Sequence, residues 1–278
     1  MKKLKIKNPK FVFTTLIISL LIIFLLYHSF VFSVVFARNA FANEMIEIAD
    51  ENENSIFNIQ KILLYSSANA IDNSEDHSLK NMSICQFTDI SIYIDNTSTI
   101  SELTNENTIK ELYIDNIVIS STADLGTKVL NYKNPLNFGK YKNITSPDNG
   151  RIDFNIINTN AENENTDYSV PTFYTDCSNP ITLGYNNKDI LTNYSVSQDS
   201  NSVSFSGKVL QEANINLSDL NYTLSFRINI VNNLNQKFVY NMKLDVNLDD
   251  DNGGIYNGYV YKGKTTSGSE YRFFKEVK

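Results

Sequence analysis

Nucleophile-and-base chemistry has few residues to draw on in this chain. It holds two histidines, His28 and His77, and two cysteines, Cys85 and Cys177. A cysteine nucleophile needs an imidazole within hydrogen-bond reach, so Cys177 in YTDCSNP would have to meet His77. His77 sits in the polar run NSEDHSLKN with no neighbouring motif, where a surface histidine is the simpler reading. The spacings GxSxG, HExxH, GxxxxGKS/T and CxxC do not occur. Carboxylates are plentiful, but nothing singles out a pair for glycoside hydrolysis. The expectation is a protein that is not an enzyme and carries no cofactor.

One acidic run invites comparison with a calcium loop. Asp245 to Gly254 reads DVNLDDDNGG, and Asp249 and Asp251 are its candidate metal ligands. Asp250 stands where an EF-hand loop needs glycine, and Tyr256 where it needs glutamate. A solvated turn, with Asn-Gly supplying positive φ, fits these residues better. The cysteines carry two open readings. Exported cysteines can pair, and a Cys85–Cys177 bridge would contribute about 4 kcal/mol by closing a long loop. The alternative is two free, half-buried thiols.

The stretch that decides where this chemistry takes place is Phe11–Phe36, FVFTTLIISLLIIFLLYHSFVFSVVF, which has no charged residue. As a helix it would be ~39 Å long at ~1.5 Å per residue, beyond the ~30 Å of a bilayer core. Lys2, Lys3, Lys5, Lys7 and Lys10 precede it, and Glu44, Glu47, Asp50, Glu51 and Glu53 follow. Positive charge stays inside, so residues 1–10 are expected in the cytoplasm, 11–36 across the membrane and the rest outside. Ala40-Phe41-Ala42 has the form of a signal-peptidase site, and cleavage near Ala42 would instead secrete the chain. The apolar run is longer than a signal peptide's, which favours the uncleaved anchor. Thr15, Ser19, Ser29 and Ser33 fall on one stripe of the helix at ~100° per residue. Small residues so placed let a second helix approach. The alternative is hydroxyls bonded to their own helix.

The chain has 278 residues and a net charge of −7. Beyond residue 10 stand 31 acidic residues against 19 basic ones, a balance of −12. That excludes a nucleic-acid binder, which needs clustered cations on phosphate. Arginine occurs only at 38, 151, 227 and 272, while Asn, Ile, Lys and Tyr abound. This is the bias of an AT-rich genome, and a low-GC Gram-positive bacterium is the expected source.

Residues 37–55 read as an acidic linker. Strands are expected at 56–65, 84–94, 111–120, 128–132, 151–157, 170–174, 181–185 and 203–210 from period-two alternation of apolar residues. Residues 66–78 read as a loop. The clearest hairpin has Leu224, Phe226, Ile228 and Ile230 alternating into a turn at Asn232–Asn235, then Phe238, Tyr240, Met242, Leu244 and Val246 alternating back. A closing hairpin is expected from 255–261 and 271–274. The fold class is therefore an all-β ectodomain, an antiparallel β-sandwich, on one N-terminal transmembrane helix. It is either one domain over 56–278 or two modules, 56–158 and 159–278, split at the polar run Asn158–Asp167. The tyrosines near the C-terminus, Tyr256, Tyr259, Tyr261 and Tyr271 with Phe273, form either a core ladder or an exposed platform.

Three functions fit this outline. The first is a non-catalytic envelope interaction or assembly component whose partners are the bilayer, through residues 11–36, and a protein. The second is a hydrolase of cell-wall polymers using a carboxylate pair. The third is a pilin-like subunit, which shares only the outline of a long apolar helix leading into a β-domain.

Overall fold

The computed structural model describes residues 9–53, 56–75, 79–96, 102–133, 141–143, 150–158, 170–195, 206–250, 253–266 and 271–276. The chain forms two compact units, Met1–Glu51 and Asn52–Lys278.

The first unit is helix α1, Pro9–Glu53. It contains the whole uncharged run and much of the acidic linker, because neither Gly nor Pro interrupts residues 10–53. From Val12 to Leu25 every side chain is exposed, with Phe13 at 67% and Ile23 at 62%. Among the described residues no helix is long and apolar enough to cross a membrane. Residues 12–25 are the longest run of α1 with described side chains, shorter than the ~20 residues a span requires.

The second unit is built from strands β1 (Asn58–Asp72), β2 (Met82–Asp95), β3 (Ile109–Ser121), β4 (Thr127–Lys133), β5 (Tyr141–Asn143), β6 (Ile152–Asp153), β7 (Asn155–Ile157), β8 (Thr172–Tyr174), β9 (Ile181–Tyr194), β10 (Tyr222–Asn232), β11 (Lys237–Val246), β12 (Tyr259–Thr265) and β13 (Phe274–Lys275). One antiparallel sheet has the order β12-β1-β2-β9-β4-β5 and the other β13-β11-β10-β3-β6. A two-stranded parallel pair, β7 and β8, forms a small third sheet beside β3, with Phe173 in the shared core. The two large sheets share one apolar core. Tyr185 of β9 stacks on Tyr222 of β10 with centroids 3.8 Å apart, and Gln86 of β2 donates to the Leu220 carbonyl beside β10. This is the layering of an antiparallel sandwich. Both sheets take strands from before and after the Asn158–Asp167 run.

The central hairpin is as expected. Leu224 pairs with Leu244, Phe226 with Met242, Ile228 with Tyr240 and Ile230 with Phe238, all facing the core. Asn232 makes the turn by accepting from the Leu234 and Gln236 amides through its side chain.

Three expectations are corrected. Residues 66–72 are strand, not loop. Ser66, Ala68 and Ala70 are inward residues of the second half of β1, at 2%, 1% and 2% exposure, so its core face continues in small side chains. A bulge between Ile59 and Lys61 also turns Leu63 and Tyr65 outward and Ile62 and Leu64 inward. Residues 208–210 open helix α2, Lys208–Glu212, not a strand. Val209 and Leu210 are neighbours and both fully buried, which a half-wetted strand forbids and a helix turn allows. Gly207 leads into it because a Cβ there would lie 1.8 Å from the Ile255 carbonyl oxygen. Finally, β12 and β13 are not a hairpin: β12 pairs with β1 and β13 with β11, in different sheets.

Candidate functional site

The separation of β12 from β13 shapes one flank of the sandwich, where the edges of the two sheets face each other. β12 is the outermost strand of its sheet. Among the described residues β11 is covered by β13 and the residue after it only from Lys237 to Val239. After crossing from β12, the chain runs through Arg272, which bridges to Asn58, and the Phe273 amide, which donates to the Phe57 carbonyl at 3.0 Å. Phe273 is fully buried, 6.4 Å from the Phe57 ring and 5.5 Å from the Tyr240 ring; Phe57 lies 5.1 Å from Phe238. These rings plug one half of the flank.

The other half is open, as a groove of about 530 Å³ floored by Ile62, Leu64, Met242 and Leu244. Period two decides what reaches it. On β11 the even residues point inward, leaving Asn241, Lys243 and Asp245 on the solvent face. On β12, Lys262 and Lys264 pair with Leu64 and Ile62, so they share the inward side with buried Val260. Lys262 Nζ reaches across to donate to the Asn247 carbonyl at 2.9 Å, and Lys264 Nζ lies 4.8 Å over the Tyr271 ring. Lys243 is 3.7 Å from Asp245. Three lysines against one aspartate line the groove of a domain whose overall charge is negative.

The outward residues of β12 form a second surface. Tyr259 and Tyr261 are each 58% exposed and Tyr65 42%. Tyr65 and Tyr259 stack at 5.4 Å. The aromatic cluster seen in the sequence therefore divides. Tyr259 and Tyr261 are a platform; Phe273 is core; Tyr256 is half-buried with its hydroxyl donating to the Ile215 carbonyl at 2.5 Å.

The far face of the β11-β10-β3 sheet carries charge of another kind. Arg227 grips Asp115 through Nε and Nη2 at 2.8 and 2.7 Å, and Asn229 donates to the same carboxylate at 3.0 Å. The Arg227 guanidinium holds the Asp115 carboxyl below the usual carboxylate range, against a smaller opposing effect of burial. Arg151 lies 3.7 Å over the Tyr113 ring and bonds Asp153 at 2.7 Å. Each arginine already has its carboxylate, which makes these cross-strand ties rather than a free anion site.

The residues singled out in the sequence do not converge. Cys85 lies in β2 and is buried; Cys177 lies beyond β8, close enough to Asp95 to feel its charge. Cys85 and Asp95 are at opposite ends of β2, ten residues or ~33 Å apart. A disulfide needs Cα atoms within ~7 Å, so the bridge is out of reach and both thiols are free. Burial pushes both thiols up. Asp249 is exposed, while Asp251 and His77 lie outside the described residues. Asp250 is spent on the turn, its carboxylate accepting from the Gly254 amide at 2.7 Å beside Gly253 at φ +91°. Among the described residues no three His, Cys, Asp or Glu side chains cluster as a metal site. Thr15, Ser19 and Ser33 are exposed on α1, and the Ser29 side chain lies outside the described ones.

Sequence reasoning missed the groove because its walls come from β1, β11 and β12, some 180 residues apart. The one local signal is YVYKGKT, a strand whose aromatic residues fall on one face and lysines on the other. No family model, curated protein or solved structure matches the chain.

Proposed function

We propose that this chain is a single-pass membrane protein that holds a non-catalytic β-sandwich outside the cytoplasm, as an interaction or assembly component of the envelope of a low-GC Gram-positive bacterium. The observation that carries this reading is α1. Its side chains from Val12 to Leu25 are apolar or hydroxylated on every side and all exposed. A helix apolar all round is covered by lipid or by protein. The uncharged sequence runs on to Phe36, with lysines before it and carboxylates after it, which suits a bilayer entered from the inside. Thr15, Ser19, Ser29 and Ser33 give that helix a stripe on which a second helix can pack. Outside, the stacked tyrosines and the open groove are surfaces suited to a partner.

Fractionation of cells making the full chain tests the reading. The protein should stay in the membrane pellet after alkaline carbonate washing. Protease added to wall-stripped intact cells should degrade the sandwich. Release into the wash, or digestion only after lysis, would remove the anchor. N-terminal sequencing separates it from secretion after cleavage near Ala42.

A further inference from the structure

We propose that the open half of the flank binds an extended, acidic segment of a partner protein, added as a strand along β11. The inference rests on the sandwich being an interaction module and names the kind of partner it takes.

The Glu276 amide donates to the Lys237 carbonyl at 2.8 Å, so the odd residues of β11 direct their backbone groups away from β10. Beyond the reach of β13 those residues are Asn241, Lys243 and Asp245. Each presents an N–H and a C=O along about 20 Å of edge, six residues at ~3.3 Å. Such an edge is a template for strand addition. A strand laid there turns alternate side chains inward over Ile62, Leu64, Met242 and Leu244. These must be apolar to cover that floor. Its remaining side chains and its rim meet Lys243, Lys262 and Lys264. Carboxylates complement that charge, and a basic strand would be repelled.

Inward-pointing lysines on an edge strand also serve to keep other chains away. The two roles differ in what they predict. A guard rejects every strand; a receptor accepts acidic ones. It also rejects basic ones.

The test uses the full chain in nanodiscs of neutral phosphatidylcholine. The probe is a fluorescent, capped heptapeptide alternating Glu and Val; its controls are the Lys/Val peptide and an acidic peptide with N-methylated alternate amides. Anisotropy should show the Glu/Val peptide binding at least tenfold more tightly than either control, and more weakly as salt rises. Asn241→Pro removes one outward N–H and leaves the bonds to β10 untouched, so it should weaken binding at least tenfold with an unchanged melting temperature. The double variant Lys243→Glu, Lys262→Glu should do the same. Equal binding of acidic and basic peptides, or full affinity in Asn241→Pro, overturns the proposal. So does rejection of every peptide, the guard's signature. Self-association that the double variant abolishes assigns the groove to a second copy and also overturns it. None of these outcomes bears on membrane fractionation, so the anchored reading stands or falls separately.

Discussion

Phe238 and Leu244 sit six residues apart on the inward face of the same strand, with the same neighbour, β10, on one side. On the other side their surroundings diverge. Phe238 is enclosed by Phe57, and Phe273 completes the aromatic plug. Leu244 borders an open groove. The difference comes from residues 272–276, which cross from one sheet to the other and cover only the first three positions of β11 among the described residues. One flank of the sandwich is thus part aromatic core and part open groove, divided by how far β13 runs along β11.

The sharpest way to break that contrast is to remove the plug. Phe273→Ala should cost ~3–5 kcal/mol, because a fully buried ring leaves a cavity between Phe57 and Tyr240. Denaturant unfolding of the full chain measures this. A loss under about 1 kcal/mol would mean that the closed half does not depend on its aromatic plug.

Leu244→Ala is the matching change on the open side. Leu244 is 6% exposed and next to the groove, so solvent relieves part of the cavity it would leave. The expected cost is about 2 kcal/mol, the low end for a buried leucine, and below that of Phe273→Ala. Equal losses at the two positions would show that the groove closes in solution.

How much of this was legible in the sequence follows the same divide between local and non-local information. The β10–β11 hairpin could be read with its register because two alternating strands flank a short turn, all within 23 residues. The sandwich class followed from many such strands. The second half of β1 was lost because Ser66, Ala68 and Ala70 are inward yet carry too little apolar surface to show a period. α2 is hidden in the sequence because valine and leucine beside polar residues mimic a strand over so few positions. The C-terminal strands were found but paired with each other, since spacing along a chain cannot show that β12 belongs beside β1. The groove depends on that pairing. Histidines and cysteines are the chemically able residues of the sequence, but the groove has an apolar floor under lysines and the platform is made of tyrosines.

Arg227→Ala tests the far face of the same sheet, where charge ties strands together instead of lining a mouth. Losing the bidentate partner of Asp115, half-buried between β3 and β10, should cost about 1–3 kcal/mol at pH 7. The sign with pH is set by the depressed Asp115 value. The stabilisation is present above the ordinary carboxylate pKa of ~3.9 and disappears as pH falls through the lower folded value. Unfolding midpoints of the two proteins should therefore converge as acid protonates the folded Asp115 carboxyl. A gap that persists in acid would assign the effect to lost packing of the guanidinium.

Lys262→Glu should have the smallest effect on stability and the most informative one. Its ammonium is exposed and its partner, the Asn247 carbonyl, is neutral, so reversal should change unfolding free energy by no more than ~0.5 kcal/mol. The stem would still lie along the groove wall, but the carboxylate cannot donate to the carbonyl and would face Asp245 across the mouth. If stability instead falls by as much as in Leu244→Ala, Lys262 is a strut between the sheets, and the open half of the flank is held apart by that contact. If stability is unchanged while salt dependence of acidic-peptide binding is lost, the lysine acts on what enters the groove and not on the sandwich that frames it.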